Sequence, residues 1–246
     1  MQYLRIECVF KSGVIPVSYH YLFVSVIKKA LSNSSEEKYQ ELYYYGNKKN
    51  KKSKNFTFSV YLKEFKIVEN NFIVNDEIKC IISSPDKELM LYIFNGLLAL
   101  KNFKYKDYEL VLQRVNLIKE QLPTEKEVLF KTLSPIAMKN KEGDFIAPND
   151  LEYNLALNYI SNEILLNFRG SGLKEPLVFV PLEMKKQVVK QQHHQFDSLK
   201  ESILYINAYR GTFKLCGHTE DLKILTQAGI GFRRNQGFGN VQVWQG

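Results

Sequence analysis

Hydrophobic and polar residues alternate over residues 3–10, which is the period of a half-buried β-strand. From Ser18 the spacing changes, and apolar residues recur every three or four positions as far as Leu31. That spacing is typical of an amphipathic helix with one buried face. The chain therefore begins with a strand followed by a helix.

The next segments repeat these two patterns and complete one folding unit. The pattern predicts strands over residues 56–60, 78–82 and 108–117, an edge hairpin over residues 65–74 that turns at Asn70 and Asn71, and a helix that starts at Ser84-Pro85. The resulting order is β-α-β-β-α-β. This order indicates a split βαβ, or ferredoxin-like, unit in which two helices cover one face of a four-stranded antiparallel sheet.

A polar, proline-containing stretch around Pro123 separates this unit from a second, similar one. The pattern there predicts a strand over residues 128–133, a helix capped by Asn149 and Asp150, strands over residues 176–182 and 204–215, an irregular basic segment over residues 185–194, a helix that starts at Thr219, and a final strand over residues 240–244. We therefore predict an α+β protein with tandem ferredoxin-like (RRM-like) domains, residues 1–122 and 123–246.

Composition excludes some classes of protein and leaves the partner open. With 246 residues, 45% of them hydrophobic, the chain can bury a substantial core, and a formal charge of +8 favours a polyanionic partner. Three cysteines, Cys8, Cys80 and Cys216, lie far apart in apolar runs, so we expect reduced, buried thiols and no disulfide scaffold. No leader peptide or membrane-spanning stretch is evident, and we expect a cytoplasmic protein without a membrane partner.

The most specific string is the glycine-rich segment 229–239, GIGFRRNQGFG. Its four glycines, Gly229, Gly231, Gly237 and Gly239, permit positive φ angles and could turn backbone amides towards an anion, with Arg233 and Arg234 adding charge. The glycine spacing does not fit a dinucleotide fingerprint, and no Gly-Lys-Ser/Thr follows as in a phosphate P-loop. A glycine-rich turn without a ligand remains the alternative.

With Asn240 and Val241, which follow it, the string GIGFRRNQGFGNV resembles the C-terminal glycine-rich loop of the CRISPR RNA-processing endoribonucleases, the sixth CRISPR-associated family within the RAMP superfamily. Further matches are Pro16, KNFTFS at residues 54–59, NGLL at residues 95–98 and TLSPIA at residues 132–137. The resemblance implies tandem ferredoxin-like domains that bind a CRISPR repeat transcript and cut it once per repeat. In that family the ribose 2′-hydroxyl attacks the adjacent phosphate and leaves a 2′,3′-cyclic phosphate, without a metal or other cofactor. It also suggests a CRISPR surveillance complex as a partner and a monomer or homodimer as the assembly.

This reaction needs a base, an acid and a cation for the charged phosphorane. His20 stands in the first turn of the first helix, near the place where the family commonly has its histidine, and a helix N-terminus favours neutral imidazole. His20 also lies on the same helix face as the apolar Ile27, seven residues later, so a buried, hydrogen-bonded core histidine is the alternative. A second short helical patch follows the first helix and runs to Leu42. Many relatives have the histidine just after this helix pair, where this chain has tyrosines, and Tyr43 is the nearest match. By the same resemblance, Lys54 is the candidate for stabilising charge.

The lysine-rich loop of residues 48–54 includes Lys51 and Lys52, which we expect either to be solvated or to bind the RNA backbone. The four glycines, Arg233 and Arg234 complete the predicted RNA-binding set. We find no carboxylate spacing that converges on a metal. Two other functions stay open: an RNA-holding subunit that has lost catalysis, and a nucleotide-binding domain that uses the glycine loop.

Overall fold

The computed structural model describes residues 4–45, 48–49, 53–193 and 202–244 of the chain. Lys51 and Lys52, expected to bind RNA, lie outside these ranges. The first half contains the following elements: β1 Leu4–Lys11, β2 Val14–Pro16, α1 His20–Ser34, α2 Glu36–Tyr43, β3 Tyr44–Tyr45, β4 Lys48–Lys49, β5 Thr57–Leu62, β6 Phe65–Val68, β7 Asn71–Val74, β8 Ile78–Ser83, α3 Lys87–Leu98, β9 Asn102–Tyr105 and β10 Tyr108–Lys119.

The first-half sheet has the strand order β5-β8-β1-β10-β9, and the pairs within it are antiparallel. Four of these strands give the predicted ferredoxin-like arrangement, and β9 adds a fifth at one edge. Helices α1 and α3 pack so closely that a Cβ on Gly96 would lie 1.7 Å from the Ala30 carbonyl oxygen. Glycine is therefore required where the two helices meet.

The predicted edge hairpin forms, but it belongs to a separate sheet. Strands β6 and β7 pair with β2 in the order β2-β7-β6, and sequence patterning had missed β2. Asn71 pairs with Val68, so the turn occupies Glu69 and Asn70 and the predicted turn at Asn70 and Asn71 was off by one residue. Glu69 adopts a φ of 53°, a conformation more common for asparagine.

The second half repeats the topology of the first. Its elements are β11 Glu127–Thr132, α4 Tyr153–Arg169, β12 Val178–His193, β13 Ser202–Cys216, α5 Thr219–Ala228, a 3₁₀ turn at Arg234–Gln236 and β14 Val241–Val243. The sheet order β12-β13-β11-β14 matches that of the four core strands in the first half. Tandem ferredoxin-like folding is thereby confirmed, and residues 120–126 around Pro123 link the two sheets; the division into domains at residue 123 stays a prediction.

The basic segment at residues 185–194 was predicted to be irregular, and this was wrong for residues 185–193. They continue β12, which pairs with β13 from Val178 to His193. One face of this long hairpin packs Val189 and Ile206 against Ala137 and Phe238. The buried positions include Gln191 beside Val189, and Val188 is exposed, so hydrophobic and polar residues do not alternate along this part of β12.

The predicted helix caps were also displaced. Asp86, not Ser84-Pro85, caps α3, with Oδ1 accepting from the Leu89 amide at 3.0 Å. Helix α4 begins at Tyr153, and Asp150 instead accepts from the Glu152 amide. Helix α5 starts at Thr219, as predicted, and His218 caps it, with Nδ1 accepting from the Glu220 amide at 3.3 Å.

The cysteines are unpaired, as expected, but they are not all buried. Cys8 and Cys80 lie in the core of the first half, whereas Cys216 is partly exposed at the end of β13 and donates to Glu127 Oε2 at 3.6 Å. The expectation of three buried thiols was therefore wrong for Cys216. No helix within the described residues is long and apolar enough to cross a membrane.

A buried polar network joins the two halves. Glu120 accepts hydrogen bonds from Arg5 Nε at 2.6 Å, Ser83 Oγ at 3.1 Å and Gln227 Nε2 at 3.2 Å. Arg5 also donates to the Val241 carbonyl oxygen at 2.5 Å. Since Arg5 and Glu120 are both buried, this ion pair fixes β1 and β10 against α5 and β14.

Candidate functional site

The glycine-rich loop packs against the first half of the protein. Gly229, Gly231, Gly237 and Gly239 are buried and have φ angles between 67° and 86°. A Cβ on Gly237 would lie 2.8 Å from the Phe58 ring, and one on Gly239 would lie 1.9 Å from the Ile230 carbonyl oxygen. These positions therefore need glycine both for the backbone conformation and for the close approach of β5.

Three of the four glycine amides already donate within the protein. Gly229 donates to the Leu225 carbonyl at 2.9 Å, Gly237 to Arg234 at 3.1 Å and Gly239 to Pro135 at 2.9 Å. The expectation that these amides face an anion was therefore wrong for the three. What the glycines do in this structure is shape the loop, and RNA contact by the loop stays a prediction.

The two loop arginines have different surroundings. Arg234 is buried and donates to the Ala228 carbonyl oxygen at 2.5 Å and to Ser53 Oγ at 2.6 Å. Burial lowers the pKa of Arg234 to about 9. Arg233 is only partly buried, has a φ of 59°, and donates to Gln236 Oε1 at 2.8 Å and Gln191 Oε1 at 3.3 Å. Arg234 thus holds the segment next to Lys54, and Arg233 is the loop arginine with access to solvent.

His20 is the first residue of α1 and is 3% exposed. Its ring stacks between Tyr19, with centroids 4.5 Å apart, and Phe238 of the glycine-rich loop, 5.1 Å away. Burial lowers the pKa of His20 to about 4, so the imidazole is neutral at pH 7. Nδ1 is buried and has no hydrogen-bond partner among the described residues. The core-histidine alternative is therefore right about burial, although Nδ1 is not hydrogen-bonded as that alternative assumed.

Tyr43 and Lys54 come together in the fold, although Tyr43 ends α2 and Lys54 precedes β5. Lys54 Nζ lies 5.7 Å from the centroid of the Tyr43 ring. Burial, and secondarily the charge of Lys28, lowers the pKa of Lys54. Burial raises the pKa of Tyr43 above its usual value, and its hydroxyl has no hydrogen-bond partner among the described residues. A neutral hydroxyl and an ammonium group are the donors that a charged phosphorane needs.

Sequence reasoning missed Lys28 of α1, which lies over the same ring with Nζ 4.6 Å from the Tyr43 centroid. The sequence placed Lys28 off the apolar stripe but could not indicate which exposed lysine would meet Tyr43. That depends on how α2 folds back on α1. His20 makes its ring contacts with Tyr19 and Phe238, whereas Lys28 lies two helical turns further along α1.

The residues on either side of Lys54 are held by the second half of the protein. Asn167 of α4 donates to the Ser53 carbonyl oxygen at 2.8 Å and to Asn55 Oδ1 at 3.0 Å. Arg234 donates to the Ser53 hydroxyl, and Ser84 donates to the Asn55 carbonyl oxygen. Sequence reasoning missed Asn167, since nothing in its spacing on α4 points to a residue 113 positions earlier. Both halves thus determine where Lys54 lies.

Of the other histidines, His218 caps α5, as described above.

Among the described residues, no three side chains of His, Cys, Asp or Glu approach closely enough to hold a metal ion.

Comparison with known proteins gives one family. The family model for "CRISPR associated protein Cas6, C-terminal" matches residues 118–243. No curated protein matches the chain.

Several solved structures share the whole fold. A Cas6-related protein from Pyrococcus furiosus has a TM-score of 0.81 at 22% identity, with 99% of each chain covered. A protein described as a RAMP protein binding different RNA substrates has a TM-score of 0.78 at 20% identity, covering 99% of this chain and 100% of the other. A Cas6 product complex has a TM-score of 0.65 at 12% identity, covering 98% and 100%.

Proposed function

The chain belongs to the Cas6 family of CRISPR-associated proteins, and from that premise we propose that it binds CRISPR repeat transcripts and cuts them once per repeat to give guide RNAs. Cutting is supported by the position of Lys54, whose ammonium group lies near the Tyr43 ring. Arg234 of the glycine-rich loop holds the segment that carries Lys54, through a hydrogen bond to Ser53. RNA binding is further supported by the net charge of +8 and by the solved structure described as a RAMP protein binding different RNA substrates.

In the proposed reaction the ribose 2′-hydroxyl attacks the adjacent phosphorus and the bond to the 5′-oxygen breaks. The Lys54 ammonium stabilises the charge that develops on the phosphorane. Because its pKa is lowered, Lys54 also gives up a proton more readily than an ordinary lysine, which suits it to protonate the leaving 5′-oxygen. For Tyr43 to donate a hydrogen bond to a phosphorane oxygen, RNA binding must expose its hydroxyl, which is buried in this structure.

Removal of the 2′-hydroxyl proton is assigned to His20, which is neutral at pH 7. This role requires the ribose to reach the His20 ring, which is 3% exposed and stacks against Phe238. The variant His20→Phe keeps an aromatic ring in the stack and removes the base. Loss of cutting in His20→Phe supports this role, and unchanged cutting rejects it.

A second candidate function is repeat binding without cutting. One observation favours it: of the two histidines whose side chains are described, His20 is 3% exposed and His218 caps α5. A binding subunit would use the same surface and lack the base.

The deciding experiment uses the repeat RNA encoded beside this gene. Binding and single-turnover cutting are measured for wild type, Lys54→Ala and Tyr43→Phe, with the exposed Lys104→Ala as the matched control. We expect Lys54→Ala to cut roughly 100- to 1000-fold more slowly with little loss of binding, and Lys104→Ala to resemble wild type. Tight binding by wild type with no product after hours would favour the binding subunit, and no preference for the repeat over a scrambled RNA would reject both functions.

A further inference from the structure

We propose that Lys28 is a second phosphate-binding residue of this site, holding with Lys54 the phosphate at which the RNA is cut. This inference rests on the proposed function and adds a residue that neither the sequence pattern nor the family resemblance indicated.

The geometry places two ammonium groups at one aromatic ring. Lys28 Nζ and Lys54 Nζ lie 4.6 and 5.7 Å from the Tyr43 centroid. Both distances are within the range in which a cation is attracted to an aromatic ring. The two charges come from α1 and from the segment before β5, so only the folded protein brings them together.

Burial is the larger cause of the lowered pKa of Lys54, and the positive charge of Lys28 lowers it further, so the two ammonium groups repel each other. A phosphodiester carries one negative charge, so a phosphate bound between the two lysines turns a repulsive pair into a favourable one. The buried Tyr43 ring excludes water from the side of each ammonium group that faces it, which strengthens the attraction to a phosphate.

The other groups around Lys54 leave the site cationic. Arg234 of the glycine-rich loop donates to Ser53, the residue before Lys54, and Asn167 of α4 contributes a neutral amide on the same segment. Tyr39 packs beside Tyr43, with ring centroids 5.3 Å apart. Positive and aromatic groups therefore surround the place where the phosphate would bind.

Lys29 provides a matched control because it is the next residue on the same helix and is exposed, whereas Lys28 is partly buried. The test compares Lys28→Gln, Lys28→Arg and Lys29→Gln. Single-turnover cutting of repeat RNA is measured across pH 6–10, and affinity is measured with a repeat that carries a 2′-deoxy nucleotide at the cut site and cannot react. Thermal unfolding of each variant reports on folding.

We expect Lys28→Gln to cut roughly 10- to 100-fold more slowly. Without the Lys28 charge the pKa of Lys54 rises, so the fall in rate at alkaline pH should move to higher pH. Because one phosphate contact is lost, the slope of log affinity against log salt concentration should also fall in magnitude by about one. Lys28→Arg keeps the charge and should retain both the rate, within a few fold, and the pH profile. Lys29→Gln should behave as wild type.

Equal rates and pH profiles for Lys28→Gln and Lys29→Gln would overturn the inference. So would equal damage from Lys28→Arg and Lys28→Gln, since that would indicate packing and not charge. If wild type binds the repeat but does not cut it, the proposed cutting fails while the affinities still decide the role of Lys28. In that case, equal affinity and equal salt dependence for Lys28→Gln and Lys29→Gln would reject it.

Discussion

His20 makes the stability of the protein depend on pH in a predictable direction. Burial between Tyr19 and Phe238 lowers its pKa from 6.5 to about 4 in the folded protein. Between these two pH values His20 is protonated in the unfolded chain but stays neutral in the folded protein. The stability that depends on neutral His20 is therefore complete above pH 6.5 and is lost as the pH falls towards 4.

The size of this effect follows from the two pKa values. Each pKa unit corresponds to 1.36 kcal/mol, so the full loss below pH 4 is about 3 kcal/mol. At pH 5 the same two values give a loss of about 2 kcal/mol. A loss of that size is a large part of the stability of an ordinary domain.

The assay is urea unfolding of wild type and His20→Phe at pH 7.5 and pH 5. Phenylalanine keeps the ring between Tyr19 and Phe238 but does not titrate, so carboxylates that titrate in both proteins cancel in the comparison. We expect wild type to lose about 2 kcal/mol more than His20→Phe between the two pH values. An equal loss in the two proteins would refute the assignment of a buried, neutral His20.

Three further substitutions test the junction of the two halves. Glu120→Ala leaves the buried Arg5 charge without a partner and should lower the free energy of unfolding by about 3–5 kcal/mol in urea denaturation; a loss under 1 kcal/mol would contradict a buried pair. Gly239→Ala should lower it by roughly 2–5 kcal/mol, because the new Cβ meets the Ile230 carbonyl oxygen at a φ of 67°. Its control, Gly143→Ala, has a positive φ but open space and should lose only about 1–2 kcal/mol. Asn167→Ala should slow cutting by roughly 10- to 100-fold by releasing the segment around Lys54, with an unchanged unfolding midpoint; an unchanged rate would show that this contact does not position Lys54.

The fold could be predicted from sequence where one face of an element is buried and the other exposed. The strand at residues 3–10 and the helix ending near Leu31 have clean periods, and both were found nearly to the residue. Strand β12 could not be found in full because its basic portion buries Gln191 beside Val189 and exposes Val188, so its hydrophobic and polar residues do not alternate. Strand β2 was missed because its three residues are too few to show a period.

The candidate site was predictable only in part. Tyr43 and Lys54 were found through the family resemblance, and the structure brings them together. Lys28 and Asn167 were not found, because their contacts depend on how α1, α2 and α4 pack and not on any local pattern. The anion-binding interpretation of the glycines came from their freedom of φ, which the structure uses instead to pack the loop tightly against β5.

The most direct test of the proposed cutting is one incubation of wild type with repeat RNA in EDTA. The substrate is the natural repeat or the same repeat with a 2′-deoxy nucleotide at the cut site. We expect the natural repeat to be cut once, leaving a 2′,3′-cyclic phosphate and a 5′-hydroxyl, and the 2′-deoxy repeat to be bound equally well and left intact. Cutting of the 2′-deoxy repeat, or loss of cutting in EDTA, would contradict attack by the 2′-hydroxyl without a metal ion.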